Sequence, residues 1–344
     1  MSDADTIGRH LDRLPFPVLI GDIGGTNARF SLVPDETGEV QRFPNVHTAD
    51  FPSIDDAIEA AVIDKGGARP KSAMLALAGP IAGDKVPLTN CPWVVEPKKS
   101  VARFGLTEMV LLNDFEAQSL ALPGLTENDV DPIGGGTMTA DGARVVVGPG
   151  TGLGAGALVL ARDIWVPVPG EGGHIDLSPV SARDFAVWPH VERTGGRISA
   201  ETLLCGAGMV RLYRAVAATD GVKPDLTTPQ AVTEAGLAGT NPQAAETLSL
   251  FAAHLGRVAG NLALVFMATG GVFLAGGISS KIAPVLKSGI FRDAFLAKWP
   301  HERLLQRMAT SIVVKEDAAL AGIAAFARAP SRFAVSLTGR RWRG

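Results

Sequence analysis

Two glycine-rich turns, far apart in the chain, have the composition of phosphate-binding turns. The first is Gly21-Asp22-Ile23-Gly24-Gly25-Thr26-Asn27, and the second is Gly148-Pro149-Gly150-Thr151-Gly152-Leu153-Gly154. Each lies between two apolar, strand-like runs, which predicts a hairpin whose tip exposes backbone N–H groups. Such groups, with a threonine hydroxyl beside them, bind the oxygens of a phosphate chain. Two such turns in one chain indicate a nucleotide held from both sides of a cleft.

Each turn also has an interpretation other than phosphate binding. Asp22 precedes the glycines, where its carboxylate would face the phosphates and hold Mg²⁺ through water. A Walker P-loop is excluded here, because no lysine ends the first turn and a strand follows it. An ordinary hairpin turn remains open for this segment, since Gly-Gly is common in hairpins. Residues 152–157 match the dinucleotide fingerprint G-x-G-x-x-A, but that fingerprint opens a helix, and the glycines here disfavour one.

Asp114 is the candidate catalytic base. The pair Asn113-Asp114 closes a short buried strand, 110–112, and ligands of α/β sheets gather at the carboxyl ends of strands. An aspartate there can accept the proton of a substrate hydroxyl that attacks phosphorus. Capping of the helix that begins at Phe115 is the competing role, and on position alone the cap is favoured.

Glu171 and His174 form the third cluster, in the segment Gly170-Glu171-Gly172-Gly173-His174. Two polar groups three residues apart, freed by glycines to point the same way, suit a polyhydroxylated ligand. Metal binding is a rival, although no second histidine or cysteine completes a ligand set. A surface loop is the third interpretation.

Three further positions carry weaker signals. Glu201 most simply starts a helix capped by Ser199, and Asn90 lies in a turn before a tryptophan that is expected to be buried. Gly276-Gly277 follows an apolar strand, where it would let an adenine or ribose approach the backbone or would simply make a tight turn.

The elements around these residues predict α/β domains, because strands and helices alternate from Val18 onward. Helical spacing covers 51–65 and 244–268, the latter with a glycine stop at 270–271; apolar strands are expected at 72–78 and 272–275. We expect a polar leader (1–16), a small domain (17–114) completed by a C-terminal helix (316–329), a large domain (115–315) and a basic tail (330–344) of uncertain order.

Composition narrows the class of protein. The chain has 344 residues, 46% hydrophobic and 19% charged, with a net charge of −3, so nothing favours nucleic-acid or membrane-surface binding. Its two cysteines fit neither a disulfide framework nor a zinc site, which indicates a reducing cytosol. The N-terminus lacks a secretory h-region, and the longest apolar stretch, 262–277, is interrupted by Thr-Gly-Gly; a soluble protein is expected.

Taken together, the motifs resemble the bacterial glucokinase family, the non-repressor branch of the hexokinase-like group. The resemblance runs from Leu19 to about Phe326 and rests on GDIGGTNARF, TNCPW, LLNDFEA, GPGTGLG, PGEGGH, RISAE and FLAGGI, in that order. It implies an actin-like ATPase (ribonuclease H-like) fold with two α/β domains around an interdomain cleft. It also implies transfer of the γ-phosphoryl group of MgATP to the 6-hydroxyl of D-glucose.

Roles carried over from the family follow its motifs. Asp114 becomes the catalytic base, and the sugar contacts become Asn90, Asn113, Glu171, His174 and Glu201. The phosphate-binding turns become 21–26 and 150–152, with Gly276-Gly277 near the adenosine. Family members are typically cytoplasmic homodimers.

Rival functions on the same fold are a kinase for mannose or fructose, a sugar-sensing regulator and a structural or chaperone ATPase. A regulator would need a DNA-binding helical module, which does not fit before the first core strand. A structural ATPase would have no need of the Glu171 and His174 cluster.

Overall fold

The computed structural model describes residues 13–66, 68–88 and 91–344. Its strands are β1 Val18–Ile23, β2 Asn27–Val33, β3 Gln41–Arg42, β4 Val46–His47, β5 Ser72–Leu77, β6 Val86–Pro87, β7 Val94–Val95, β8 Glu108–Asn113, β9 Val130–Gly134, β10 Arg144–Pro149, β11 Leu153–Ala161, β12 Ile164–Gly170, β13 Val272–Leu274, β14 Thr310–Val313 and β15 Arg341–Arg343. Strands and helices alternate along the chain, so the α/β prediction is confirmed.

The α-helices are α1 Ile54–Ile58, α2 Pro97–Phe104, α3 Asp114–Ala121, α4 Ala182–Val187, α5 Ala200–Leu203, α6 Gly206–Thr219, α7 Pro229–Ala238, α8 Pro242–Phe266, α9 Gly277–Lys281, α10 Ala283–Leu286, α11 Ile290–Leu296, α12 Glu302–Gln306 and α13 Ala318–Arg328. A π-helical turn, Glu59–Ile63, continues α1. The helix expected over 51–65 therefore begins at Ile54, because the Ser53 hydroxyl accepts the Asp56 N–H and caps it there.

The first sheet has the strand order β15-β8-β5-β1-β2-β3, and β4 also pairs with β2. β1 is antiparallel to β2 and parallel to β5, which is in turn parallel to β8. The last residues of the three parallel strands, Ile23, Leu77 and Asn113, are register partners. Because neighbouring strands lie about 4.8 Å apart, the first glycine turn and Asp114 lie at one sheet edge with a single strand between them.

The second sheet repeats this strand order, as β9-β14-β13-β10-β11-β12 read in the same direction. β10 and β11 form the antiparallel hairpin, β13 is parallel to β10, and β14 is parallel to β13. β10 therefore corresponds to β1. The second glycine turn joins β10 to β11 in the second sheet, as the first turn joins β1 to β2 in the first sheet.

Helix α8 matches the amphipathic helix expected over 244–268, but it does not end at the predicted glycines. Met267 takes the left-handed conformation (φ 51°) and closes the helix by donating its N–H to Ala263 and Leu264 oxygens. Among the described residues, α8 has the length and apolar composition that could cross a membrane. Most of its apolar window is buried inside the fold, and core helices pass the same test, so this evidence is weak.

The chain forms two compact units. The first comprises residues up to Gly124, Leu160–Val168 and Glu316–Gly344, and so extends beyond the boundary expected at residue 114. The second comprises Leu125–Val159 and Pro169–Lys315. Of the polar leader, residues 1–12 lie outside the described residues.

The residues after Pro330 correct the expectation of a tail of uncertain order. They form a 3₁₀ turn, Pro330–Arg332, and the edge strand β15, which pairs antiparallel with β8. Trp342 is buried, and its Nε1 donates to Asp84 Oδ1 at 2.8 Å. Arg340 and Arg341 bind Glu116 and Glu108, which lie more than 200 residues away, so the sequence around the arginines gives no sign of this order.

Candidate active site

The first glycine turn is closed by its own backbone. Gly24 N–H donates to Asn27 O at 2.9 Å, so this N–H is used inside the turn. The N–H groups of Gly25 and Thr26 are then the candidate phosphate donors. Thr48 supports the turn from outside, since its Oγ1 donates to Gly25 O at 2.9 Å and its N–H to Thr26 O at 3.0 Å.

Gly21 and Ile23 lie within β1 and are buried. A Cβ at Gly21 would lie 2.6 Å from Leu75 Cδ2, so Gly21 leaves room for the Leu75 side chain of β5. These two members of the predicted phosphate-binding segment therefore shape the strand that carries the turn.

The Arg29 guanidinium lies between two carboxylates, those of Asp22 and Asp317. Arg29 Nη1 lies 3.3 Å from Asp22 Oδ2, and Arg29 Nε lies 3.3 Å from Asp317 Oδ1. Burial raises the pKa of Asp22 above its ordinary value, and the Arg29 charge opposes that rise. Within the described residues no group of three or more His, Cys, Asp or Glu residues could hold a metal ion. A single carboxylate fits Mg²⁺, which keeps several waters and is bound mainly by substrate phosphates.

Asn113, and not Asp114, caps helix α3. Asn113 Oδ1 accepts the Phe115 N–H at 2.9 Å and the Glu116 N–H at 3.2 Å. Asp114 is the first helical residue, and its Oδ1 lies 3.0 Å from the same Phe115 N–H. The cap favoured by sequence position is thus shifted by one residue, and Asp114 Oδ2 takes no part in it. The cap occupies Asn113 Oδ1, so its Nδ2 amide is the group suited to bind a sugar oxygen.

The second glycine turn is also closed by a hydrogen bond of its own backbone. Gly150 N–H donates to Gly152 O at 2.8 Å, and Gly150 O accepts the Gly206 N–H at 2.9 Å. Thr151 is exposed at the tip, so the N–H groups of Thr151 and Gly152 are the candidate phosphate donors. Residues 153–161 continue as strand β11, which confirms that the dinucleotide fingerprint is a false match.

Glu201 is joined to this hairpin. Ser199 caps α5 as expected, and Glu201 lies in the first turn of that helix. Its Oε2 accepts the Leu153 N–H at 2.8 Å, while Oε1 takes no part in this bond. A Cβ at Gly152 would lie 2.5 Å from Oε2. The glycine therefore gives the carboxylate room to reach the backbone.

The Glu171–His174 loop rests on the same hairpin. Gly172–His174 form a 3₁₀ turn, and a Cβ at Gly173 would lie 1.9 Å from Leu153 O. The side chains of Glu171 and His174 are 72% and 56% exposed, with 3.9 Å between Oε2 and Nε2. The two groups point into solvent from a backbone that is fixed against β11, as a ligand-binding pair requires.

Arg197, a residue that the motifs did not single out, supports this loop. Its Nη2 donates to His174 O at 2.7 Å and its Nε to Asp176 Oδ1 at 2.8 Å. Ala200 N–H donates to Ile175 O at 2.8 Å, so the loop and α5 are joined. The signal was present in the RISAE segment, whose arginine received no role.

Gly276 also meets the second hairpin. It follows β13 with φ 82°, and a Cβ there would lie 2.6 Å from Pro149 O. Gly277 begins α9 and has open space where a side chain would be. Of these two residues, Gly276 is the one that the fold requires to be glycine.

The structure gathers the predicted residues into two sets. The first unit holds Asp22, the Gly24–Thr26 turn, Asn113 and Asp114; the second holds the Gly150–Gly152 turn, Glu171, His174, Glu201 and Gly276. Asn90 lies outside the described residues. The tryptophan after it, Trp93, is buried as expected, and its Nε1 donates to Phe51 O at 2.9 Å.

Comparison with known proteins identifies the family. The glucokinase family model matches residues 19–330. The chain belongs to the glucokinase family. A glucokinase of Agrobacterium fabrum is 55% identical over 96% of this chain and 97% of its own length. One from Mesorhizobium japonicum is 54% identical over 99% of this chain and 98% of its own.

Solved structures of the family share the fold. A glucokinase from an Antarctic psychrotroph superposes with a TM-score of 0.79 at 31% identity, covering 90% of this chain and 98% of its own. A Balamuthia mandrillaris glucokinase, solved in complex with glucose, has a TM-score of 0.75 at 22% identity, covering 90% and 93%. The predicted actin-like α/β fold class is confirmed.

Proposed function

We propose that this protein is an ATP-dependent glucokinase, which transfers the γ-phosphoryl group of MgATP to the 6-hydroxyl of D-glucose. The proposal is supported by relatives named glucokinase that are more than half identical over nearly the whole chain. The observation that carries the chemistry is that Asn113 caps α3. Because Asn113 is the cap, Asp114 is not required for that role. It also lies directly after the carboxyl end of a parallel strand, where ligands of α/β sheets bind.

In the proposed reaction, the oxygen of the 6-hydroxyl forms a bond to the γ-phosphorus, and the bond from that phosphorus to the bridging oxygen of ADP breaks. Asp114 accepts the hydroxyl proton. Because the transition state of phosphoryl transfer is loose, positioning and charge neutralisation matter more than strong basicity. Mg²⁺, when bound, neutralises charge on the phosphates, and Asp22 is the residue that would hold it.

The sugar contacts are proposed as Asn113, Glu171, His174 and Glu201, together with Asn90. Glu201 Oε2 is already bound to the Leu153 N–H, so Oε1 would accept a sugar hydroxyl. Thr151 and Gly152 would donate N–H groups to phosphate. Because Glu201 accepts the N–H of Leu153 in the second hairpin, the position of its carboxylate at the sugar would depend on the hairpin that binds the nucleotide.

Cellular setting and assembly are further parts of the proposal. The resemblance supports a cytoplasmic homodimer that binds neither nucleic acid nor membrane. The net charge of −3 agrees with a partner that is a small molecule. Sedimentation of the purified protein at micromolar concentration would test the dimer, and a monomer would contradict it.

The activity is tested by ADP release with glucose, mannose, fructose or no sugar. We expect turnover with MgATP and glucose, and phosphorus NMR of the product should show the 6-phosphate. Equal turnover without sugar would instead support a structural ATPase, and a preference for mannose or fructose would reassign the substrate.

Asp114→Asn tests the base. We expect kcat to fall at least about a hundredfold, the usual contribution of a general base, while the KM for glucose changes little. Asp64→Asn is the control, because it removes an exposed carboxylate from the same unit. Near-normal turnover of the Asp114 variant would remove Asp114 from this role.

A further inference from the structure

The buried carboxylate of Glu116 marks a connection between helix α3 and the C-terminal segment. Glu116 is 1% exposed and lies in the first turn of α3, two residues after Asp114. Arg340 meets it with two bonds, Nη1 to Oε2 at 2.5 Å and Nη2 to Oε1 at 3.2 Å. A two-bond arginine–carboxylate pair fixes orientation as well as distance.

Arg340 is itself held on both sides. Its carbonyl accepts the Leu111 N–H at 3.0 Å, and its own N–H donates to Leu337 O at 3.0 Å. Its Nη2 also donates to Ser336 O. Arg340 therefore bridges the last strand before Asp114, β8, and the first turn after it.

The next three residues, β15, extend this attachment along β8. Arg341, Trp342 and Arg343 pair with Val110, Met109 and Glu108. Arg341 Nε also donates to the buried Glu108 carboxylate. The segment lies after residue 330, where the match to the family model ends.

The first turn of α3 is also held by the Asn113 cap and by helix α13, so Arg340 adds a third attachment. The helix has only eight residues, and residues two apart point to opposite sides of a helix. Arg340 thus holds the turn from the side opposite Asp114. At the end of this turn, Gly322 of α13 packs so closely against α3 that a Cβ on Gly322 would lie 2.1 Å from Ala117 O.

We propose that Arg340 is a positioning residue for phosphoryl transfer, which acts through Glu116 to hold the first turn of α3 and thereby directs Asp114. This inference rests on the proposed function, because it assumes that Asp114 is the base. Removal of the guanidinium would let the turn shift. Since a misplacement of about 1 Å can reduce the rate by about a hundredfold, the chemical step would suffer before binding does.

The test compares Arg340→Met, Arg340→Lys and the double variant Glu116→Gln with Arg340→Met. The double variant is included because a lone buried Glu116 charge could prevent folding, which the amide removes. We expect Arg340→Met and the double variant to lose about tenfold in kcat, with the KM values for glucose and ATP within twofold. Arg340→Lys should recover part of kcat. Arg343→Met is the control, since Arg343 is 60% exposed and lies 3.8 Å from Glu108.

Combination with Asp114→Asn decides whether Arg340 acts through Asp114. We expect the Asp114→Asn, Arg340→Met variant to be no slower than Asp114→Asn alone. Losses that multiply, or a folded Glu116→Gln, Arg340→Met variant with wild-type kcat, would overturn the proposal. Wild-type protein and Asp114→Asn are measured in the same assay. An inactive wild type, or an active Asp114→Asn, therefore counts against the proposed function and not against this inference alone.

Discussion

Replacement of Gly173 by alanine is the sharpest test of the proposed sugar loop. The new Cβ would lie 1.9 Å from Leu153 O, and real Cβ atoms essentially never come within 3.0 Å of such an atom. The two must separate by more than 1 Å. Leu153 belongs to β11 and is a register partner of Pro149 in β10, so the exposed loop is the part that moves.

The movement would displace Glu171 and His174 from the sugar. We expect kcat/KM for glucose to fall about a hundredfold, the effect of an error of about 1 Å, whereas the KM for ATP should change little. The free energy of unfolding should fall by about 1–3 kcal/mol, as is usual for overpacking. Initial rates over a glucose series and chemical unfolding measure the two effects.

Gly170→Ala is the matched control, because it lies in the same segment with nothing within 4 Å of its Cβ position. We expect its glucose kinetics to stay within twofold of the wild type. If Gly173→Ala had the same kinetics as Gly170→Ala, the loop would not be part of the sugar site. Equal losses in both variants would show that any change in this segment is harmful, and the packing argument would fail.

Two further predictions concern the nucleotide turn and stability in acid. Gly276→Ala should raise the KM for ATP at least about tenfold, because its Cβ would lie 2.6 Å from Pro149 O and its φ of 82° disfavours a side chain. Gly277→Ala is the control, because a Cβ there meets open space and should leave this KM unchanged. Equal KM values for the two variants would refute the prediction. Burial and the neighbouring Arg257 charge lower the pKa of His254 to about 3, although Asp184 acts in the opposite direction. Below pH 6.5 the unfolded chain therefore binds more protons than the folded protein. This residue should therefore lower the free energy of unfolding by about 1.4 kcal/mol for each pH unit below 6.5. Urea unfolding at several pH values should show that the free energy of unfolding depends less steeply on pH in His254→Asn than in the wild type. An unchanged pH dependence would contradict this prediction.

Local signals predicted the elements that carry the site. Both hairpins are predictable because glycine tips between apolar runs specify a turn within a few residues of chain. Helix α8 was found from its spacing, but its end was not. The left-handed turn at Met267 depends on hydrogen bonds to the preceding helical turn, and methionine gives no sign of it in the sequence.

Contacts between distant segments were not predictable. Asp114 was favoured as the cap because aspartate is common there, yet capping geometry differs by one residue between Asn113 and Asp114, which sequence position alone does not resolve. The bonds from Glu201 to Leu153 and from Arg340 to Glu116 span 48 and 224 residues. The residues around each glutamate in the sequence do not indicate which distant residue it will bind.

The pairing of β15 with β8 has a consequence for biosynthesis. The ribosome releases Glu108–Asn113 long before it reaches Arg341, so the outer edge of β8 stays open while more than two hundred further residues are made. The second unit, whose last residue is Lys315, can complete its sheet first, although it begins later in the chain. The first unit therefore closes last, and β8 offers an unpaired edge to wrong association for as long as β15 is missing.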